Sequence, residues 1–364
     1  MAVVSSLLVK AMLGLSLSVM MLLPWFSLAI DIHYVREMAA QNNVSCILVF
    51  GDSSVDPGNN NVLPTTMKSN FPPYGKDFFN GLPTGRFSNG RLASDFIAEA
   101  VGYRNIVPAF LDPKLKLEDL PHGVSFASAA TGYDDFTANI SNVLPVSRQI
   151  EYFEHYKIHM RKLMGEERAE FVIRNALYII SMGTNDFLQN YYLDSTRPKQ
   201  FTVQQYQNFL LSRMTRDIQV IHRLGGRRIV VVGVPPLGCM PLVKTLYSQA
   251  NCVASLNRVS FSFNAKLLHQ LNTLKTNLHL KTAFVDAYGS ILRAVIHPAK
   301  YGFEEGRKGC CGTGAVEYGD SCRGMETCKD SSKYVFWDAV HPSEKMYKII
   351  ADAALDSVTK ELTA

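Results

Sequence analysis

The feature that most limits what this chain can become is a set of short apolar runs without polar alternation. CILVF (46–50), GVSFAS (123–128), ALYIIS (176–181), RIVVVGV (228–234) and TAFVD (282–286) place hydrophobic side chains at successive positions. Successive side chains of an extended chain point to opposite faces, so strands of this kind must be covered on both sides. Longer stretches of helical character lie between them: ASDFIAEAVG (93–102), SRQIEYFEHYKIHMRKLM (147–164), TVQQYQNFLLSRMTRDIQVIHRLGG (202–226) and SLNRVSFSFNAKLLHQLNTLKTNL (255–278). The third ends at Gly225 and Gly226, where a helix C-cap is expected, and the next apolar run resumes at once. Alternation of this kind implies parallel strands joined by helical crossovers, an α/β/α sandwich around a mostly parallel sheet of about five strands. No repeat, low-complexity tract or linker divides residues 30–364, which read as a single domain, and 47% hydrophobic content is ample for its core.

In such a sheet ligands bind in the crevice outside the carboxyl ends of the strands. Polar groups of catalytic type follow those ends. After CILVF comes Ser53 in VFGDSSVDPGNNN (49–61), after GVSFAS comes AATG with Gly132, and after ALYIIS comes MGTND with Asn185. Near the C-terminus YVFWDAVHPSE places Asp338 three residues before His341, just ahead of the last helical stretch PSEKMYKIIADAALDSV. Taken singly, these residues have ordinary structural readings. Ser, Asp and Gly form turns, Asp52 bonds its own turn, and Asn185 or Asp338 caps a turn or a helix. Taken together they match a chemical need: a hydroxyl is a poor nucleophile at neutral pH, an imidazole must take its proton, and a carboxylate must orient that imidazole. The negative charge that develops on an attacked ester carbonyl requires donors, and turn N–H groups with the Asn185 amide can supply about 3 kcal/mol each.

These motifs resemble the plant branch of the GDSL lipase/esterase family, within the wider SGNH hydrolases, over nearly all of residues 30–364. The resemblance is carried by VFGDSSVDPGNNN, FPPYG (71–75), PTGRFSNGR (83–91), GVSFASAATG (123–132), SMGTNDF (181–187), PPLGC (235–239), GCCGTG (309–314) and YVFWDAVHPSE (334–344), in the family's order. It implies a flavodoxin-like sandwich and hydrolysis of a carboxylic ester through an acyl-enzyme, with no cofactor and no metal. Ser53 would be the nucleophile, His341 the general base and Asp338 its orienter. The oxyanion hole would comprise the N–H of Ser53, the N–H of Gly132 and the side chain of Asn185. Two departures stand out: Ser54 replaces the leucine of the family's name motif, and Ala130 stands where many relatives carry glycine, which makes Ala130 the fallback donor. The aromatic residues Phe187, Tyr191 and Tyr192 follow the Asn185 turn and are candidates for an acyl pocket or for core. His155 and His159 lie one helical turn apart but have neither a third ligand nor a zinc-protease glutamate, and read as a solvated helix face.

Residues 1–29 combine Lys10, an apolar stretch and small residues at Ser27 and Ala29, the pattern of a cleavable secretory signal. Cleavage leaves no stable membrane anchor. It removes one positive charge from a formal +5, and without Lys/Arg runs this mild excess excludes nucleic acid as a main partner. An exported chain favours disulfides over zinc. The expected pairs are Cys239 with Cys252 and two bridges among Cys310, Cys311, Cys322 and Cys328, with Cys46 left as a small hydrophobe in a strand. Asn43 in NVS and Asn139 in NIS fit the glycosylation pattern. The whole describes an enzyme of the apoplast or cell wall acting on lipid or cell-wall esters. Acyl transfer through the same acyl-enzyme and non-catalytic wall binding are the alternatives.

Overall fold

The computed structural model describes residues 31–363; the proposed signal segment lies outside them. The elements run α1 (Ile32–Gln41), β1 (Ile47–Gly51), α2 (Ala93–Ala100), β2 (Gly123–Ser125), α3 (Asp135–Ser141), α4 (Val146–Met164), α5 (Glu166–Asn175) and β3 (Leu177–Ser181). There follow a π-helical segment (Asp186–Leu193), α6 (Thr196–Gln200), α7 (Val203–Arg223), β4 (Arg228–Val232), α8 (Pro241–Leu246), α9 (Ala254–Leu278), β5 (Lys281–Val285), α10 (Ala287–Ile296), β6 (Glu305–Gly309), β7 (Tyr334–Phe336) and α11 (Glu344–Thr363). The chain from Ile32 onward forms one compact unit. Among the described residues no helix is long and apolar enough to cross a membrane.

The apolar runs pair in the order β2-β1-β3-β4-β5, every neighbour parallel. Alternate residues then divide between two helical layers. Leu48, Phe50, Tyr178, Ile180, Ile229 and Val231 share one core with α4, α5, α7 and α9, while the opposite face, which carries Ile179, Val230 and Ala283 in register, is covered by α2, α10 and α11. Each large apolar side chain buried in this way contributes about 1.5–3 kcal/mol, which is why neither face tolerates a polar alternation. The expected three-layer α/β/α sandwich is present, with β1 and β3 flanking the point where the strand order reverses.

GVSFAS is a strand only through Ser125, yet the N–H groups of Phe126 and Ser128 go on to bond Val49 O and Gly51 O at 2.8 and 2.9 Å. The turn that follows is thereby carried alongside the end of β1. Cys239–Cys252, Cys310–Cys328 and Cys311–Cys322 are bridged, the last two tying together the loop that joins β6 to β7. Cys46 is buried and free, and burial pushes its thiol up to about 12.

PTGRFSNGR acquires a structural task. Arg86 meets Asp95 through two bonds of 2.8 Å, both side chains almost wholly buried, and the Asp95 carboxylate also receives the N–H of Leu92 at 2.8 Å and of Val107 at 2.7 Å. This ion pair fixes the start of α2 against the loop below the sheet edge. Removing one member strands a buried charge, so Arg86→Ala is expected to lower stability by about 3–5 kcal/mol, read as the shift in urea midpoint.

Candidate active site

The site begins at a glycine. Gly51 closes β1 with φ +148°, and a Cβ there would collide with the Ser181 carbonyl oxygen of β3. Its absence lets the two strand ends close up and the backbone turn sharply into Asp52 and Ser53. The Asp52 N–H donates to Ser181 O at 3.0 Å, and the Asp52 carboxylate accepts the Ser54 N–H at 2.9 Å and hydroxyl at 2.7 Å. Burial pushes that carboxyl up to about 6. Ser54, at the family's leucine position, also bonds the Ser181 hydroxyl at 2.8 Å, so here the turn is held by hydroxyls where an apolar contact would otherwise stand.

The other half comes from the loop between β7 and α11. It is tied at its base by the Trp337 N–H on His341 O at 2.8 Å, and Asp338 Oδ1 accepts the N–H groups of Val340 and His341 at 2.8 and 2.7 Å. Folding the loop around its own carboxylate brings the imidazole onto that carboxylate: His341 Nδ1 lies 2.8 Å from Asp338 Oδ2 and 3.0 Å from Oδ1. A nitrogen facing a carboxylate carries the proton, which leaves Nε2 as acceptor. Nε2 lies 2.8 Å from Ser53 Oγ, across 288 residues of sequence.

Two aromatic residues complete the support. The Tyr74 hydroxyl donates to Asp338 Oδ2 at 2.7 Å and accepts the Gly319 N–H at 2.7 Å. Burial, with the nearby Asp338 charge adding to it, raises the Tyr74 phenol far above its ordinary range, so it is a donor at any working pH. The Phe87 ring lies 4.8 Å from the imidazole, centroid to centroid. Tyr74 belongs to FPPYG, where no charge or spacing announces a partner 264 residues away.

Ser53, Asn185 and His341 border a cleft of about 360 Å³. The Asn185 amide is held by a 2.9 Å bond from Nδ2 to Thr131 O, which leaves its second amide hydrogen for a ligand. Gly132 does not line this cleft. A Cβ at Gly132 would strike the carboxylate of Asp186, which accepts the N–H groups of Tyr133 and Asp134 at 2.8 and 3.1 Å and the Thr137 hydroxyl at 2.6 Å. The glycine is there to let a buried carboxylate approach. Two residues of AATG do line the cleft, Ala129 and Ala130. The Ala129 N–H is already given to the Asp56 carboxylate at 2.9 Å, and Ala130 is held at φ +70°, a conformation that costs a residue with a Cβ roughly 1–2 kcal/mol.

Of the two readings of the aromatic residues, acyl pocket or core, the packing matches core. Phe187 is wholly buried between the Tyr206 and Phe263 rings, Tyr191 stacks on Tyr206 and donates to Phe201 O at 2.9 Å, and Tyr192 packs beside it against the same core. The cleft is instead lined by Leu188, Gln189 and Leu193 from the same segment. The segment is π-helical, with the Asp194 N–H bonded five residues back to Gln189 O, and that wider turn sets residues 187 and 191 on the core side and 188, 189 and 193 on the cleft side.

A sequence model of the GDSL-like lipase/acylhydrolase family matches residues 47–354, spanning every residue of this constellation. The chain belongs to that family, a family of carboxylic ester hydrolases. Two GDSL esterase/lipases of Arabidopsis thaliana are among its relatives: one is 57% identical over 92% of this chain and 93% of its own length, another 44% identical over 85% and 90%. An acetylxylan esterase from Geobacillus stearothermophilus aligns in structure over 86% of this chain and 94% of its own, with 15% identity and a TM-score of 0.40.

Two outcomes are expected from this geometry. Tyr74→Phe removes one donor from Asp338 and the acceptor of Gly319, so kcat should fall about tenfold, ~1.4 kcal/mol, with KM and circular dichroism unchanged; equal kcat would show that the tyrosine only packs. Burial raises the Asp186 carboxyl from 3.8 to about 7, so the folded chain holds a proton there that the unfolded chain has released. Folding is therefore most favoured below about pH 4 as far as this group is concerned, and that contribution is lost as pH rises through 7. The difference in urea midpoint between wild type and Asp186→Asn should shrink as pH rises from 5 to 8.

Proposed function

We propose that this chain is an exported serine ester hydrolase working through an acyl-enzyme. The observation that carries the reading is the 2.8 Å approach of His341 Nε2 to Ser53 Oγ, with Nδ1 held on a buried carboxylate. Ser53 Oγ attacks the ester carbonyl carbon as its proton passes to Nε2. Asp338 steadies the imidazolium, and the proton then goes to the departing alcohol oxygen as the ester C–O bond breaks. Water repeats the cycle on the acyl-Ser53 bond and releases the acid. The charge on the carbonyl oxygen is met by the N–H of Ser53, the free amide hydrogen of Asn185 and the N–H of Ala130, which replaces Gly132 in this reading because Ala130 borders the cleft, Gly132 does not, and the N–H of the neighbouring Ala129 is taken by Asp56. No step calls for a metal or an organic cofactor.

Export rests on the signal-like residues 1–29 and on three disulfides, which persist where the surroundings oxidise. Both glycosylation candidates, Asn43 and Asn139, have exposed side chains. Export of a chain with plant relatives supports an apoplast or cell-wall setting, and the family's ester chemistry there supports a lipid or wall-ester substrate.

The test is covalent. A fluorophosphonate probe should label the wild type and not Ser53→Ala, and Ser53→Ala should lose at least about 10⁴-fold in nitrophenyl ester turnover. Labelling that persists in Ser53→Ala would assign the nucleophile elsewhere.

A further inference from the structure

A separate groove lies on the other flank of α8. Leu242 lines the catalytic cleft, whereas Lys244 lines a groove of about 550 Å³. Residues two apart on a helix point about 200° apart, so α8 stands between the two sites. Two longer helices form the walls of the groove. Arg258 and Phe261 share one face of α9, and Tyr288, Leu292 and Val295 share one face of α10. Ile291, on an adjacent face of α10, borders instead the small cavity under Ser53. The Cys239–Cys252 bridge fixes the chain at Cys252, which closes the groove on a further side.

Its charge is of one sign. Lys244, Arg258 and Arg307 line it from α8, α9 and β6, and among the described residues no Asp or Glu does. The Glu305 carboxylate of β6 is turned back onto the N–H groups of Arg307 and Lys308. Lys244 is only 5% exposed, burial lowers its ammonium to about 8, and Nζ donates to Arg307 O at 2.7 Å. An ammonium has three donors, so two remain without a partner among the described residues. Neither the Arg258 nor the Arg307 guanidinium has an ion-pair or hydrogen-bond partner among them. Beside these cations Phe261 is 63% exposed, its ring 5.9 Å from that of Tyr288. A bare inorganic anion would answer the cations and leave the rings uncovered; a fatty chain would cover the rings and leave three cations unanswered. A sugar that bears a carboxylate meets both, its C–H face on an aromatic ring and its carboxylate in a guanidinium fork. We propose that the groove binds a linear acidic polysaccharide, a chain of uronate sugars, and holds it one helix diameter, about 10 Å, from the catalytic cleft. Binding there needs no hydrolysis at Ser53.

The experiment is calorimetric titration of the disulfide-bonded protein with oligogalacturonate, with the fully methyl-esterified form of the same oligomer, and with polyphosphate as charge without a sugar ring. Wild type should bind the acid and not its methyl ester. Arg258, Phe261 and Arg307 are exposed, so their replacement leaves the core intact. Arg258→Gln and Arg307→Gln should each weaken oligogalacturonate binding at least about fivefold, with turnover of nitrophenyl acetate unchanged. Phe261→Ala should weaken it at least about threefold and leave polyphosphate binding as it was. A wild type that binds no oligogalacturonate, a methyl ester that binds as tightly as the acid, or equal affinity in wild type and both arginine variants overturns the proposal. So does equal affinity in wild type and Phe261→Ala, which would reduce the groove to bare charge. Ser53→Ala should bind as wild type does, which keeps the two readings apart. A wild type that binds but resists the fluorophosphonate defeats only the nucleophile assignment, and one that is labelled but does not bind defeats only the groove.

Discussion

Asp338 has no exposed surface, and a buried carboxylate is tolerated only where donors replace the water it has lost. Four surround it: two N–H groups of its own loop, the imidazole of His341 and the hydroxyl of Tyr74. The two loop bonds set the turn between β7 and α11, the imidazole bond sets the tautomer, and the tyrosine draws FPPYG and the Gly319 loop onto the same point. The two bridges at Cys310 and Cys311 brace the chain on either side of that loop, closing spans of 18 and 11 residues. Satisfying one charge thus organises three distant segments, and the orientation of the His341 imidazole is a consequence.

The sheet supplies the second half of the constraint. Because β1 and β3 are adjacent while their crossovers leave on opposite sides, a crevice opens where Gly51 and Ser181 meet. Ser53 and Asn185 emerge from neighbouring strand ends into that crevice. A rigid platform of five parallel strands holds them in place, with a hydrogen bond from each turn back to the sheet or to the facing turn. Ser53 is presented from one side and His341 from the other, and their Oγ and Nε2 atoms come within 2.8 Å.

Around the π-helical segment a buried polar network takes over the role that packing plays elsewhere. Arg197 bonds Asp134 through two contacts of 2.7 and 2.9 Å, and the amide of Asn190 reaches Asp134, Thr137 and the Tyr206 hydroxyl. Together with Asp186 these groups pin the segment at its inner face, and its outer face is left to shape the cleft. The arrangement explains why the aromatic residues of NDFLQNYYLD pack into the core and do not line the cleft.

How much of this was legible beforehand depends on the range of the interaction. The strand runs, the order of helices and the polar turns after β1, β2 and β3 follow from local hydrophobic pattern and backbone chemistry, and so they stand in the sequence. Asp338 and His341 were legible for the same reason, being three residues apart in one loop. The pairing of Cys239 with Cys252 was legible too. The choice between Ala130 and Gly132 was not, because it turns on whether a carboxylate 54 residues away fills the space above the glycine. The side toward which Phe187 and Tyr191 point depends on five-residue bonding that pattern does not encode. The bond from Tyr74 to Asp338 arises only when two loops 264 residues apart in sequence meet, and the cavity under Ser53 only when α2, α10 and α11 close over the sheet. By itself the sequence determined which residues were chemically able to act and which strands would bring them to one edge, since propensity and periodicity are local. Tertiary structure alone decided that Ala130 and not Gly132 borders the cleft beside Ser53, and which side chains shape that cleft, because volume and contact exist only after distant segments pack.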